Sequence, residues 1–105
     1  MTTTATNLDP KSPVRVVYDT ANSIIGADAD HSPTIPAPRF IQFEALAVGT
    51  TLQLQQRIHV SASWVNVGTA YTSTDGAVVL SFAVVPNYAR LVRTGAGAIV
   101  AYSQS

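Results

Sequence analysis

The chain contains no cysteine, which excludes disulfides, thiolate metal sites and cysteine nucleophiles and leaves packing to supply its stability. Charge is scarce too. Six Lys and Arg balance six Asp and Glu, and charged residues make up only 11% of the sequence, less than half the usual share of about 25%. Nucleic-acid binding leaves a basic excess, and disorder needs low hydrophobicity with high net charge. A neutral chain that is 47% hydrophobic fits neither. Long apolar runs are also missing: the best, Ala77 to Val85, contains Ser81 and falls well short of the roughly 18 residues that a membrane helix requires. The opening residues, Met1 to Asn7, show neither the basic nor the apolar part of a secretory signal. The expectation is a soluble chain, made and kept in the cytosol, with no nucleic-acid and no membrane partner.

What is present is one domain's worth of protein, 105 residues, enough to remove roughly two-thirds of the unfolded chain's surface from water without staples. Net charge near zero promotes contact between copies, so much of this surface is expected to be covered in use. Residues 1–13 carry four Thr, two Pro and one Leu without periodicity and read as a flexible N-terminal arm. Residues 14–105 read as the folded domain. After the apolar run Val14 to Tyr18, the stretch from Asp19 to Pro38 contains Gly26, Asp28, Asp30, Pro33, Pro36 and Pro38. It reads as a long Pro-rich surface loop, extended over Pro33–Pro38 because each proline fixes its own φ and biases its predecessor away from helix.

From Arg39 the period is two, which puts alternate side chains on opposite faces of a sheet. Ile41, Phe43 and Ala45 share one face; Leu52, Leu54, Ile58 and Val60 then alternate with Gln53, Gln55, Arg57 and His59. Ser61-Ala62-Ser63 reads as a tight turn into a return strand, with Trp64 in phase with the apolar set. Thr74-Asp75-Gly76 carries the Asp-Gly signal of a hairpin turn. The strand after it, Ala77 to Val85, has a bulky face of Val78, Leu80, Phe82 and Val84. Tyr88–Arg93 and Ala98–Tyr102 complete the set, separated by Thr94-Gly95-Ala96-Gly97. No segment holds a helical period over three turns. Seven or eight short strands with regular turn signals predict an all-β fold, a single antiparallel β-sandwich of jelly-roll-like type.

Chemistry-bearing constellations are thin. The two histidines are the only bases for a hydrolytic triad; His59 falls on the polar side of its strand and His31 in the loop. Asp28, Asp30 and His31 form a cluster, but it lacks the further acidic ligand of a calcium loop. Gly95-Ala96-Gly97 is not followed by the helix that a phosphate loop opens, and the scattered acids offer no glycosidase pair. No catalytic residue, metal site or cofactor is predicted. Trp64 is expected in the core by its phase. Arg90 and Arg93, three apart on one strand, point to opposite faces, with one of them expected at a sheet edge or subunit contact. Five of the six basic residues are Arg, a composition that favours protein contacts.

The run Ile58-His59-Val60-Ser61-Ala62-Ser63-Trp64-Val65-Asn66-Val67-Gly68, then Thr74-Asp75-Gly76 and Tyr88-Ala89-Arg90-Leu91-Val92-Arg93-Thr94-Gly95, resembles the small β-sandwich accessory modules of tailed-phage virions. It is also similar to discoidin-type carbohydrate-binding sandwiches. The first resemblance implies a capsid decoration or cement protein on the virion exterior, a homo-oligomer docking on the major capsid protein. The contact residues would come from the arm (Thr2, Thr3, Thr4, Asn7, Leu8, Lys11) and the loop (Ile24, Ile25, Ile35, Arg39). The second implies a sugar-binding module of a tail or fibre, with Trp64 or Tyr71 as the stacking platform. A tail or connector component is a third implication.

Overall fold

The computed structural model describes residues 13–20 and 30–105. Eight strands form among them: β1 (Arg15–Asp19), β2 (Ile35–Pro36), β3 (Phe40–Phe43), β4 (Thr51–Arg57), β5 (Val65–Asn66), β6 (Val78–Ser81), β7 (Tyr88–Thr94) and β8 (Val100–Gln104). They make two antiparallel four-stranded sheets, ordered β1-β8-β3-β6 and β2-β7-β4-β5. The pairing is nested: β1 with β8, β2 with β7, β3 with β6 and β4 with β5. The chain therefore behaves as one long hairpin folded at the β4–β5 turn and rolled into two layers. Lateral pairing of β3 with β8 and of β4 with β7 completes the sheets. This eight-stranded, two-sheet wrapping is a jelly roll, and the all-β sandwich predicted from the alternation is the fold that forms.

The core lies between the sheets. Tyr18, Ile35, Ile41, Phe43, Leu52, Leu54, Ala89, Leu91, Ile99 and Ala101 meet there, with Val17, Tyr71, Val78, Leu80 and Phe82 packed around them. The register explains the selection: Leu54 stands opposite Leu91 and Phe43 opposite both Val78 and Ala101, so each strand sends every second residue inward. β1 departs from strict alternation through a shift between Val16 and Tyr18; a bulge of this kind lets both Val17 and Tyr18 contribute to the interior.

Several sequence expectations are corrected. The Pro-rich stretch is not only loop: Ile35 and Pro36 pair with Ala89 and Tyr88, and Ile35 is fully buried. The strand expected to run to Val60 ends at Arg57, because its partner β7 begins opposite, at Tyr88, and Pro86 just before it has no N–H to extend the ladder. Ile58 and Val60 are accordingly exposed, Ile58 at 78%. The strand expected from Ala77 to Val85 stops at Ser81, which faces Phe40, the first residue of β3. Beyond it the chain crosses to the other sheet, and Val84 is left 87% exposed. Thr74-Asp75-Gly76 does not close a hairpin. It belongs to a short 3₁₀ turn at Ser73–Asp75 between β5 and β6, which lie in different sheets, with the Asp75 carboxylate accepting the Thr72 N–H at 2.8 Å.

At one end of the sandwich lie Arg15, Phe40, Ser81 and Gln104 in the first sheet, and Pro36, Tyr88 and Arg57 in the second. The segments 37–39, 58–64 and 82–87 turn there.

Candidate functional site

Two surfaces stand out among the described residues. The first is the outer face of the β1-β8-β3-β6 sheet. Val16, Tyr102, Gln42 and Val79 line up in register across all four strands, and the neighbouring row holds Gln104, Phe40 and Ser81. Neither row carries a charged side chain. Val79 and Val14 are 59% exposed, and a shallow cavity of about 260 Å³ runs among Val14, Phe40, Gln42, Val79, Tyr102 and Gln104. An antiparallel sheet with one face in water normally alternates apolar with charged or polar residues; here these two rows are apolar or neutral, and the next row along holds Asp19, opposite Val100.

The second surface is at the end of the sandwich that holds Arg57 and Tyr88. The β4–β5 turn and the segment after β6 border an open groove of about 660 Å³, whose walls include Ile58, Val65, Val67, Val84 and Pro86, with Arg57 on one side. Arg57 is the last residue of β4 and, with Gln55, Arg90 and Tyr88, lies on the outer face of its sheet. The turn at 58–64 is pinned from within: His59 Nδ1 accepts the Ser61 N–H at 3.0 Å, the His59 carbonyl accepts the Ala62 N–H, and Asn87 Nδ2 donates to the Ile58 carbonyl at 2.9 Å. This turn carries Trp64 back over the sheet, where the Arg57 and Arg90 guanidinium carbons stand 4.3 and 4.7 Å from its ring. Cation–π attraction of this kind is worth about 0.5–2 kcal/mol per pair, more as water is excluded.

Hydrogen bonds fix the rest of the cluster. Arg90 Nε donates to Gln55 Oε1 at 2.7 Å, and Gln55 Nε2 donates to Asn66 Oδ1 at 2.8 Å, tying β7, β4 and β5 together. Arg57 Nη1 reaches the Ala62 carbonyl at 3.4 Å, while its Nε is buried without a partner. Burial, and then the charge of Arg57, hold the Arg90 pKa below the ordinary guanidinium range.

Trp64 is therefore not a core residue as its phase suggested: it is half-buried on the outside, its ring engaged by two cations. Tyr71, the other stacking candidate, is half-buried, packs against the core and meets Phe43 edge-on at 5.2 Å. Ile35, expected at a partner contact, is 1% exposed and its side chain reaches no outer surface. Arg39 is exposed at the groove end, where its N–H donates to the Gln104 carbonyl and its carbonyl accepts the Phe82 N–H. Thr2, Thr3, Thr4, Asn7, Leu8, Lys11, Ile24 and Ile25, like Asp28, lie outside the described residues.

His31 and Asp30 are exposed; His31 Nδ1 lies 2.8 Å from the Ser32 carbonyl, and the Asp30 carbonyl accepts the Arg93 N–H. Among the described residues no three His, Asp or Glu come together as a metal site would need. Arg90 points outward and Arg93 shares the inward phase of Leu91, donating from Nη1 to the Gly97 carbonyl at 3.1 Å. Near it, burial raises the Tyr18 pKa; the positive charge of Arg93 opposes that shift and Asp30 adds to it.

Compared with known proteins, the chain matches no family model, and none of the curated proteins or solved structures is significantly similar to it.

Proposed function

We propose that this chain is a non-enzymatic structural protein of a phage virion, one that decorates or cements the capsid by associating with its own copies and with the major capsid protein. The observation that carries the reading is the pair of uncharged rows on the outer face of the β1-β8-β3-β6 sheet, with Val14, Val16, Phe40 and Val79 exposed there. Exposed apolar surface on a neutral protein favours association over solubility. The jelly-roll wrapping supports the same reading by analogy, since viral shell domains use it, although lectin domains share it and fold alone does not assign function. The sugar-binding alternative is less well supported, because the Trp64 ring is engaged by two arginines and Tyr71 packs against the core.

The test is a comparison of the wild-type chain with Val79→Lys and Phe40→Lys by analytical ultracentrifugation and by co-sedimentation with bare phage shells. Wild type should form a defined oligomer and load onto shells, and each variant should lose both properties with an unchanged circular dichroism spectrum. A monomeric wild type that leaves every shell bare overturns the proposal.

A further inference from the structure

The outer sheet face does not account for the groove end, where two positive charges and an aliphatic channel adjoin each other. We infer that the Arg57–Trp64–Arg90 stack and the groove beside it form a docking site for an extended segment of a partner protein that carries a carboxylate among aliphatic side chains. The residues involved differ from those on the sheet face, so the two proposals stand or fall separately.

Charge comes first. Arg57 and Arg90 sit on adjacent strands, with Arg57 opposite Tyr88 and Gln55 opposite Arg90, a diagonal spacing of roughly 7–8 Å between their backbones. Both lean on one indole. No carboxylate of the described residues pairs with either, so two partly desolvated cations share one ring whose quadrupole offsets only part of their repulsion. A single anion would neutralise both.

Donor geometry points the same way. Of the three nitrogens on Arg57, one is buried without a partner and one makes only the 3.4 Å contact with the Ala62 carbonyl. Arg90 engages Nε with Gln55, and its two terminal nitrogens make no hydrogen bond to a described residue. A planar fork with unused terminal donors is suited to a carboxylate, which accepts two parallel N–H bonds.

The groove then sets what accompanies the carboxylate. Its walls include the branched aliphatic side chains of Ile58, Val65, Val67, Val84 and Val85, with Val84 and Ile58 87% and 78% exposed, and these suit valine- or leucine-sized side chains. Arg57 belongs both to the stack and to the groove wall, so one extended segment can seat an acidic residue on the stack and its neighbours in the channel. β5, which borders the groove, pairs on one side with β4 and ends its sheet's order. Its open edge offers main-chain partners to an added strand.

The sole tryptophan and the arginine side chains make the site observable. Nuclear magnetic resonance titration would follow the Arg57, Arg90 and Trp64 side-chain N–H signals and the Val65, Val67 and Val84 methyls. The probes are the blocked peptide acetyl-Val-Leu-Asp-Val-Leu-amide and its twin with Asn for Asp. The acidic peptide should shift all of these signals saturably and bind at least about fivefold more tightly than its twin, the difference expected of charge-assisted hydrogen bonding. Arg90→Gln, with its methyl spectrum otherwise unchanged, should bring the acidic peptide down to the affinity of the twin. Equal binding of the two peptides by wild type, or no saturable shift with the acidic one up to about 10 mM, where even millimolar affinity is visible, overturns the inference.

Discussion

Gly97→Ala isolates one close contact on which the far end of the sandwich depends. A Cβ built at Gly97 would lie 2.3 Å from Thr50 Oγ1, 2.8 Å from Ala47 Cβ and 3.1 Å from Thr50 Cβ. Thr50 is 3% exposed and its hydroxyl accepts the Gly97 N–H at 2.9 Å, so it has little room to retreat without breaking that bond. Overpacking a dense site costs about 1–3 kcal/mol, and a buried hydrogen bond broken in relieving it adds about 1 kcal/mol. The variant should therefore lose roughly 2–4 kcal/mol. At about 4–8 °C per kcal/mol for a domain of this size, its melting midpoint falls by at least 8 °C or so, read by circular dichroism and confirmed by urea denaturation. Thr50→Ala removes the nearest atom, so the double variant should be more stable than the sum of the single losses predicts by roughly 1 kcal/mol or more, a coupling typical of touching residues. Gly95→Ala provides the contrast: its φ is +101° and an added Cβ would meet the Gly49 carbonyl oxygen at 2.6 Å. Both are backbone constraints, which no side-chain deletion relieves. A Gly97→Ala protein within about 0.5 kcal/mol of wild type, the range of ordinary surface changes, or strict additivity with Thr50→Ala, would refute the reasoning.

Three further outcomes follow from burial and bonding. Leu52→Ala should cost about 2–5 kcal/mol in chemical denaturation, as core truncations do, whereas Ile58→Thr should stay within about 0.5 kcal/mol, because Leu52 is fully buried and Ile58 is 78% exposed; a comparable loss at both positions would show that β4 runs on past Arg57. Ser32→Ala removes the hydroxyl that accepts the buried Leu91 N–H at 3.0 Å and should destabilise by about 1–3 kcal/mol, with faster hydrogen exchange at Leu91 as the local sign. Burial raises the Tyr18 pKa in the folded state. Its neutral form therefore contributes stability that is intact below the unfolded value near 10 and lost as pH rises through the folded pKa. In denaturation curves taken across that alkaline range, wild type should lose stability more steeply than Tyr18→Phe, and parallel curves would remove Tyr18 as the cause.

Alternation revealed the layers because its physical cause is simple: a half-buried strand must send every second side chain inward, and Leu52, Leu54, Ile41 and Phe43 do so. The nested pairing was not legible, since no local signal tells Val100 that its strand will lie between β1 and β3. β2 was missed for a related reason. Ile35 stands among prolines, and only the ladder with Ala89 and Tyr88, set by residues more than 50 positions away, makes two of those residues a strand. Strands stop short of their propensity where the sequence continues and partners do not, at Ile58–Val60 and at Phe82–Val85.

The missed site follows from one of those ends. Phase carried from Leu54 through Ile58 and Val60 to Trp64 predicts a buried indole, but phase has meaning only while the chain remains paired, and pairing with β7 stops at Arg57. The turn resets the face, so Trp64 comes back over the outside of the sheet and meets the guanidinium groups there. A trace of this was present in composition: with arginine at five of six basic positions, a half-exposed aromatic in a β-sheet protein has cations suited to stacking within reach. The apolar excess has the same origin. Ile58, Val84 and their neighbours continue the strand-like sequence beyond the last ladder rung, and residues suited to burial but left outside by the register create an apolar groove next to unpaired cations. Such a surface is costly for a free neutral monomer and useful to one that binds a partner. Ile58→Thr, expected to be neutral for folding, should therefore weaken the acidic peptide and its Asn twin alike, by removing aliphatic contact without touching the arginines.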